Sequence, residues 1–256
     1  PGLDPGIDSG PGRFNPPDPS TESLGNGSEL DNPPPLDPRP LFNNDNPPVG
    51  AISTATVSTM SPLGEWQFHM DKAESFLQRE MYEDALEELL ICLGKRPNDV
   101  DAHLMIADSY DKVGRGEKAL YHYELARILA PNGPKPFFRT GNYYLRHALA
   151  GESSTFYDNA LNYYNLALRI DLKYDEAWHN AAIVYIKLNN FDRAEWAFQQ
   201  ALKYNPDYAK AHRNLGLLYE MHLNKPQEAR RHYQEYLRIG GPDQDAVREW
   251  LQALPA

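Results

Sequence analysis

An interval of 34 residues recurs along this chain. Ala85, Ala119, Ala160, Ala194 and Ala229 stand 34, 41, 34 and 35 positions apart. Four positions after each comes a large side chain: Leu89, Tyr123, Tyr164, Phe198 or Tyr233. A second series, Ala73, Ala107, Gly141, Ala182 and Gly216, is spaced 34, 34, 41 and 34, and three residues beyond each lies Phe76, Tyr110, Tyr144, Tyr185 or Tyr219. A period of this length implies stacked supersecondary units and argues against a single globular core.

Each unit carries two apolar patterns at helical spacing, split by a short polar break. Between Asp175 and Tyr208, one predicted helix gathers Trp178, Ala181, Ala182 and Tyr185 on a face. A second crowds Ala194, Trp196, Ala197, Phe198 and Ala201. Leu188 to Asp192 supplies the turn, and Pro206 prevents the second helix from continuing. Small residues let the two helices approach, and aromatics opposite them fill the space. Neither helix buries its face alone, so units must stack.

These residues resemble the tetratricopeptide repeat pattern, roughly W-x2-L-G-x2-Y, then A-x3-F-x2-A, then P. Trp178, Tyr185, Ala194, Phe198, Ala201 and Pro206 carry it in one unit, and Ala107, Tyr110, Ala119, Tyr123, Ala126 and Pro131 in another. Leu215, Gly216, Tyr219, Ala229 and Tyr233 fit it in the last. The resemblance implies an all-α, right-handed solenoid. Five units are expected over residues 63–242, at about 66–99, 100–133, 134–174, 175–208 and 209–242, with 243–256 a capping helix and tail. The third unit holds seven extra residues around 148–155, expected as a loop or as longer helices. Leu172 replaces its closing proline, and Tyr236 replaces the small residue of the last unit.

Residues 1–62 are a different polymer. They contain 14 of the 22 prolines and eight acids against Arg13 and Arg39. Such a segment cannot bury enough apolar surface to offset its ordering entropy, so it is expected to be an extended or unstructured tether. Phe14, Leu36, Leu41 and Phe42 are its candidate anchors, should it clamp a partner. The chain begins at Pro1 without a methionine, which suggests a processed or trimmed start. With the proline-rich leader, this favours a periplasmic or cell-envelope setting, including a processed lipoprotein, with the cytoplasm as the alternative.

The net charge of −11 and the lack of a basic stripe argue against nucleic acid as a partner. No run of 18 apolar residues suggests a transmembrane segment. Cys92 occupies the small-residue position held later by Ala126, Ala167 and Ala201, as a small hydrophobe would. No HExxH, P-loop, GxSxG or CxxC motif appears, so neither catalytic residues nor a metal or other cofactor are expected. His69, His103 and His212 recur at the family's first-helix tryptophan position and read as packing residues. His122 and His232 are expected to face outward from second helices.

Function must then come from surface. In this family the first helices line a groove that takes peptides. By position, the partner-binding residues implied here are Glu74, Asp108, Asp111, Phe138, Asn142, Arg146, His179, Lys187, Lys210 and Arg213, accompanied by Ile183, Leu217 and Met221. The front end reads acidic and the rear basic, an asymmetry that would orient a bound segment. Glu74 and Asp108 stand where relatives that bind acidic peptides carry Lys or Asn, which argues against that subgroup. The expected function is a non-catalytic scaffold that assembles or stabilises a multiprotein complex, with other protein subunits as its partners. The alternative is a reversible peptide adaptor using the groove, including a role like that of the pilus-assembly lipoproteins called pilotins.

Overall fold

The computed structural model describes residues 61–255. Among them are eleven α-helices and no strand: α1 Pro62–Gln78, α2 Tyr82–Lys95, α3 Val100–Lys112, α4 Gly116–Leu129, α5 Pro134–Leu149, α6 Thr155–Ile170, α7 Asp175–Lys187, α8 Phe191–Tyr204, α9 Ala209–Met221, α10 Pro226–Ile239 and α11 Gln244–Ala253. Helices pair in sequence as antiparallel hairpins, and each second helix packs on the first helix of the next pair. The fold is an all-α solenoid. The anchors Phe14, Leu36, Leu41 and Phe42 lie outside the described residues.

Every hairpin turns through one residue in the left-handed region. These are Glu80 (φ 57°), Gly114 (76°), Gly151 (84°), Asn189 (57°) and Asn224 (51°). An amide just beyond each reaches back into the last turn of the first helix. Met81 N–H donates to Phe76 O at 2.9 Å, Arg115 to Tyr110 at 2.8 Å, Glu152 to His147 at 3.2 Å, Asn190 to Tyr185 at 2.8 Å and Lys225 to Tyr219 at 2.9 Å. This closure satisfies carbonyls that the helix end would leave orphaned.

The recurring small residues sit where helices touch. A Cβ on Gly141 would lie 2.6 Å from the Tyr164 ring, and one on Gly216 would lie 2.5 Å from the Tyr233 ring. The seven extra residues of the third unit are shared out. α5 has 16 residues where α3, α7 and α9 have 13, and α6 has 16 where α4 and α8 have 14. The remainder widens the turn at 150–154. Where proline is missing, Asp171 stops α6 instead, its carboxylate accepting from Lys173 N–H at 2.9 Å. Tyr236 is buried against Gly241, and its hydroxyl accepts from Asp243 N–H at 2.9 Å, which seats α11 on α10.

His122 and His232 do not face outward. His103 donates from Nε2 to Pro97 O at 3.0 Å, which leaves its Nδ1 to accept from His122 Nδ1–H at 3.0 Å. The same arrangement recurs with His212, Pro206 O at 2.9 Å and His232 at 3.0 Å. Each second-helix histidine therefore turns inward to pair with a first-helix histidine. His69 fills the corresponding place in the first unit, where its partner is Glu88 at 2.6 Å.

The buried apolar side chains form two clusters. One covers the first two units and ends at Tyr143; the other runs from Phe138 to Leu254. Charge bridges the division. Lys135 pairs with Asp101 at 2.6 Å, Arg139 with Asp108 at 2.7 Å and Arg146 with Asp111 at 2.9 Å, each joining α5 to α3.

Candidate functional site

The odd-numbered helices α1 to α9 present one polar face, and the structure distributes the expected groove residues unevenly along it. Glu74 is exposed on α1. Asp108 is half-buried, accepting from the Tyr123 hydroxyl and pairing with Arg139. The Asp111 carboxylate is 2% exposed, held between Arg146 and His147. Phe138 is buried against Tyr164 and Tyr174, with ring centroids 5.9 and 4.9 Å away, so it supports the face from beneath. Arg213 pairs with Asp243 at the start of α11. Lys187 and Lys210 are exposed and have no ion-pair partner among the described residues. The acidic front and basic rear do not persist as separate fields, because acids of α3 are neutralised by bases of α5.

The middle of the face carries a continuous polar chain. Tyr164 donates from its hydroxyl to Asn142 Oδ1 at 2.8 Å, and Asn180 Nδ2 donates to the same oxygen at 2.8 Å. Asn214 Nδ2 donates to His179 Nε2 at 3.0 Å, which fixes the proton on Nδ1. That Nδ1–H then donates to Asn180 Oδ1 at 2.9 Å. Three first helices, α5, α7 and α9, are thus joined through neutral side chains. Burial lowers the His179 pKa to about 4, and Lys210 and Arg213 add to the effect against the opposing bond to Asn180. With its oxygen twice occupied, Asn142 has its amide Nδ2–H groups to offer a ligand. Asn180 and Asn214 were not among the expected site residues. Their separation of 34 positions, the repeat interval itself, was the available signal.

Beside this chain lies an apolar pocket of about 270 Å³ between α7 and α9, lined by Ile183, Ile186, Lys187, Asn214, Leu217, Leu218, Met221 and His222. Met221 is 68% exposed at its rim. An apolar floor, amide groups on one side and an ammonium at the edge match an extended peptide. Such a ligand needs one side chain buried, its backbone hydrogen-bonded and its direction set. Among the described residues no group of three or more His, Cys, Asp or Glu side chains is placed to hold a metal. No described helix is long and apolar enough to cross a membrane.

The tetratricopeptide repeat family model matches residues 70–134 and 179–245, together just over half of the chain. The chain belongs to the tetratricopeptide repeat family. Its repeats are similar to Photosystem I assembly protein Ycf3 of Prochlorococcus marinus subsp. pastoris, at 35% identity over 80 residues. That match covers 30% of this chain and 46% of the relative, so the chain spans about half the length of that protein. Among solved structures, the repeats resemble TTC0263, a thermophilic tetratricopeptide repeat protein of Thermus thermophilus. The TM-score is 0.60 and the identity 22%, over 73% of this chain and 97% of that one. They also resemble Pseudomonas aeruginosa pilF, with a TM-score of 0.61 and 17% identity over 75% of this chain and 86% of that one. These two likenesses carry the fold. Proteins built from such repeats are generally non-catalytic interaction scaffolds.

Proposed function

We propose that this chain acts without catalysis to assemble or stabilise a multiprotein complex, holding an extended segment of a partner subunit over α7 and α9. The observation that supports this most is the preformed pocket beside the Asn142–Asn180–His179–Asn214 chain. A pocket floored by Leu217 and Ile183 takes one apolar side chain. Lys187 and Lys210 favour an acidic residue near it. The assembly role of the Ycf3 relative, named as such, fits a scaffold.

The direct test is selection of displayed random peptides on the full chain. Enriched peptides are expected to share an apolar anchor flanked by Asp or Glu. Met221→Asp and Lys187→Glu should each weaken them at least tenfold, as burial of one side chain or loss of one charge contact would (about 1.4 kcal/mol per tenfold). Peptides that bind both variants unchanged would refute the site. Residues 1–50 provide the other contact in this reading, as a proline-rich clamp, and their deletion should lower affinity for the whole partner without changing affinity for the short peptides. A tail that carried all the binding would produce the reverse ranking.

A further inference from the structure

The repeat register shows that α1 has an open seam. In later units the positions equivalent to Phe68 hold Ala102, Pro136, Ala177 and Ala211, all buried. Those equivalent to Lys72 hold Ile106, Thr140, Ala181 and Leu215, again buried, and the equivalents of Ser75 are buried as well. This stripe is where a first helix receives the second helix of the preceding unit. The first unit has no predecessor among the described residues, and Phe68 stands 44% exposed with Ser75 also exposed. A bulky ring thus replaces a small residue at the one seam that lacks a facing helix. The opposite end is closed: α11 buries Val247 and Leu254 and turns Asp245, Arg248, Glu249 and Gln252 outward. That polar face is a poor match for Phe68, so end-to-end stacking of copies is disfavoured.

We propose that residues 51–60 of this same chain lie across α1 and cover Phe68 and Ser75. Three observations support that occupant. The segment joins α1 directly at Ser61, which makes its encounter with α1 intramolecular. No charged residue occurs from Asn46 to Gly64, so the segment loses no ion hydration when buried. Ala51, Ala55 and Ser58 lie 34 positions before Ala85, Leu89 and Cys92, so small residues fall where a second helix would face α1. The bulk is exchanged between partners: small on the segment, large at Phe68. Reach is ample, since Ser75 lies about 21 Å along α1 from Ser61 at about 1.5 Å per residue, and ten residues extend to about 33 Å.

The test uses the full chain with Cys92→Ala, which installs the residue that later units carry at that position. In this background Ser75→Cys provides a thiol on the seam, and Glu74→Cys provides one on the groove face as a control. Thiol-labelling rates are measured with and without Ile52→Asp and Val57→Asp. The expected result is that the two aspartates speed labelling at position 75 at least tenfold and leave position 74 within twofold. Equal rates at position 75 would overturn the proposal. So would protection that rises with protein concentration, which would assign the seam to a second copy. Acceleration at both positions would also overturn it, by showing a general loosening. Phe68→Asp should lower the melting temperature of the full chain by several degrees; an unchanged or raised value would contradict coverage. Failure of the peptide selection would leave these outcomes untouched.

Discussion

Asp111 of α3 and His147 of α5 lie 2.6 Å apart across the division of the apolar core, with Glu152 of the widened turn 2.5 Å from the other ring nitrogen. Both nitrogens face carboxylates, so both donate. Burial alone would lower the His147 pKa, but the bonds to Asp111 and Glu152 outweigh it and raise the value. Asp111→Ala should cost about 2 kcal/mol, because it leaves the half-buried Arg146 and His147 without their shared acceptor. Denaturant unfolding measures the loss. Hydrogen exchange should place the faster opening at α3 and α5.

Acid should weaken the solenoid before it titrates most carboxylates. Burial lowers the pKa values of His122, His179 and His232 to about 4, from an ordinary 6.5. Between those values the unfolded chain binds protons that the folded chain refuses, so stability falls as the pH drops from about 6.5 toward 4. His147 has the opposite sign. Its raised pKa adds stability that is complete below the ordinary value and lost as the pH climbs through the folded one. Melting temperatures from pH 7 to 4 should decline, and His179→Gln should flatten part of that slope.

Glu80 occupies a left-handed turn position that other units fill with Gly or Asn. A Cβ there crowds the following carbonyl, which costs roughly 1–2 kcal/mol. Glu80→Gly should therefore stabilise the chain by about 1 kcal/mol after the added flexibility of the unfolded state is counted. A shift in denaturant midpoint at constant slope would register it.

Two helical glycines should respond with opposite signs. Gly216→Ala drives a methyl into the buried Tyr233 ring and should cost about 1–3 kcal/mol. Gly94, in α2, has nothing within 4 Å of the added carbon, so Gly94→Ala should gain up to about 1 kcal/mol. Thermal unfolding of the two variants provides the comparison.

Much of the fold was legible because the repeat is a packing rule: Gly141 and Gly216 announce a close ring, and the ring is there. Orientation within a face was harder to read. His122 looks outward when its helix is taken alone; only the carbonyl of Pro97, by fixing the proton of His103, makes an inward partner necessary. Phe138 shares helical spacing with groove residues, yet its repeat position, held by Met70, Leu104 and His179 in other units, is buried in each of them. The charge asymmetry failed for a related reason. Asp108 and Asp111 are distant in sequence from Arg139 and Arg146 but adjacent once units stack. The pocket between α7 and α9 belongs to neither helix, so only Ile183, Lys187, Leu217 and Met221 could be anticipated for it.

The charge-bridged joint between α3 and α5 has a mechanical meaning. Tyr143 of α5 packs on Tyr123 across it, and three ion pairs brace that contact, of which the exposed Lys135–Asp101 pair is the most open to screening by salt. Raised ionic strength should therefore loosen the outer edge of this joint, at Lys135, before its buried centre at Asp111.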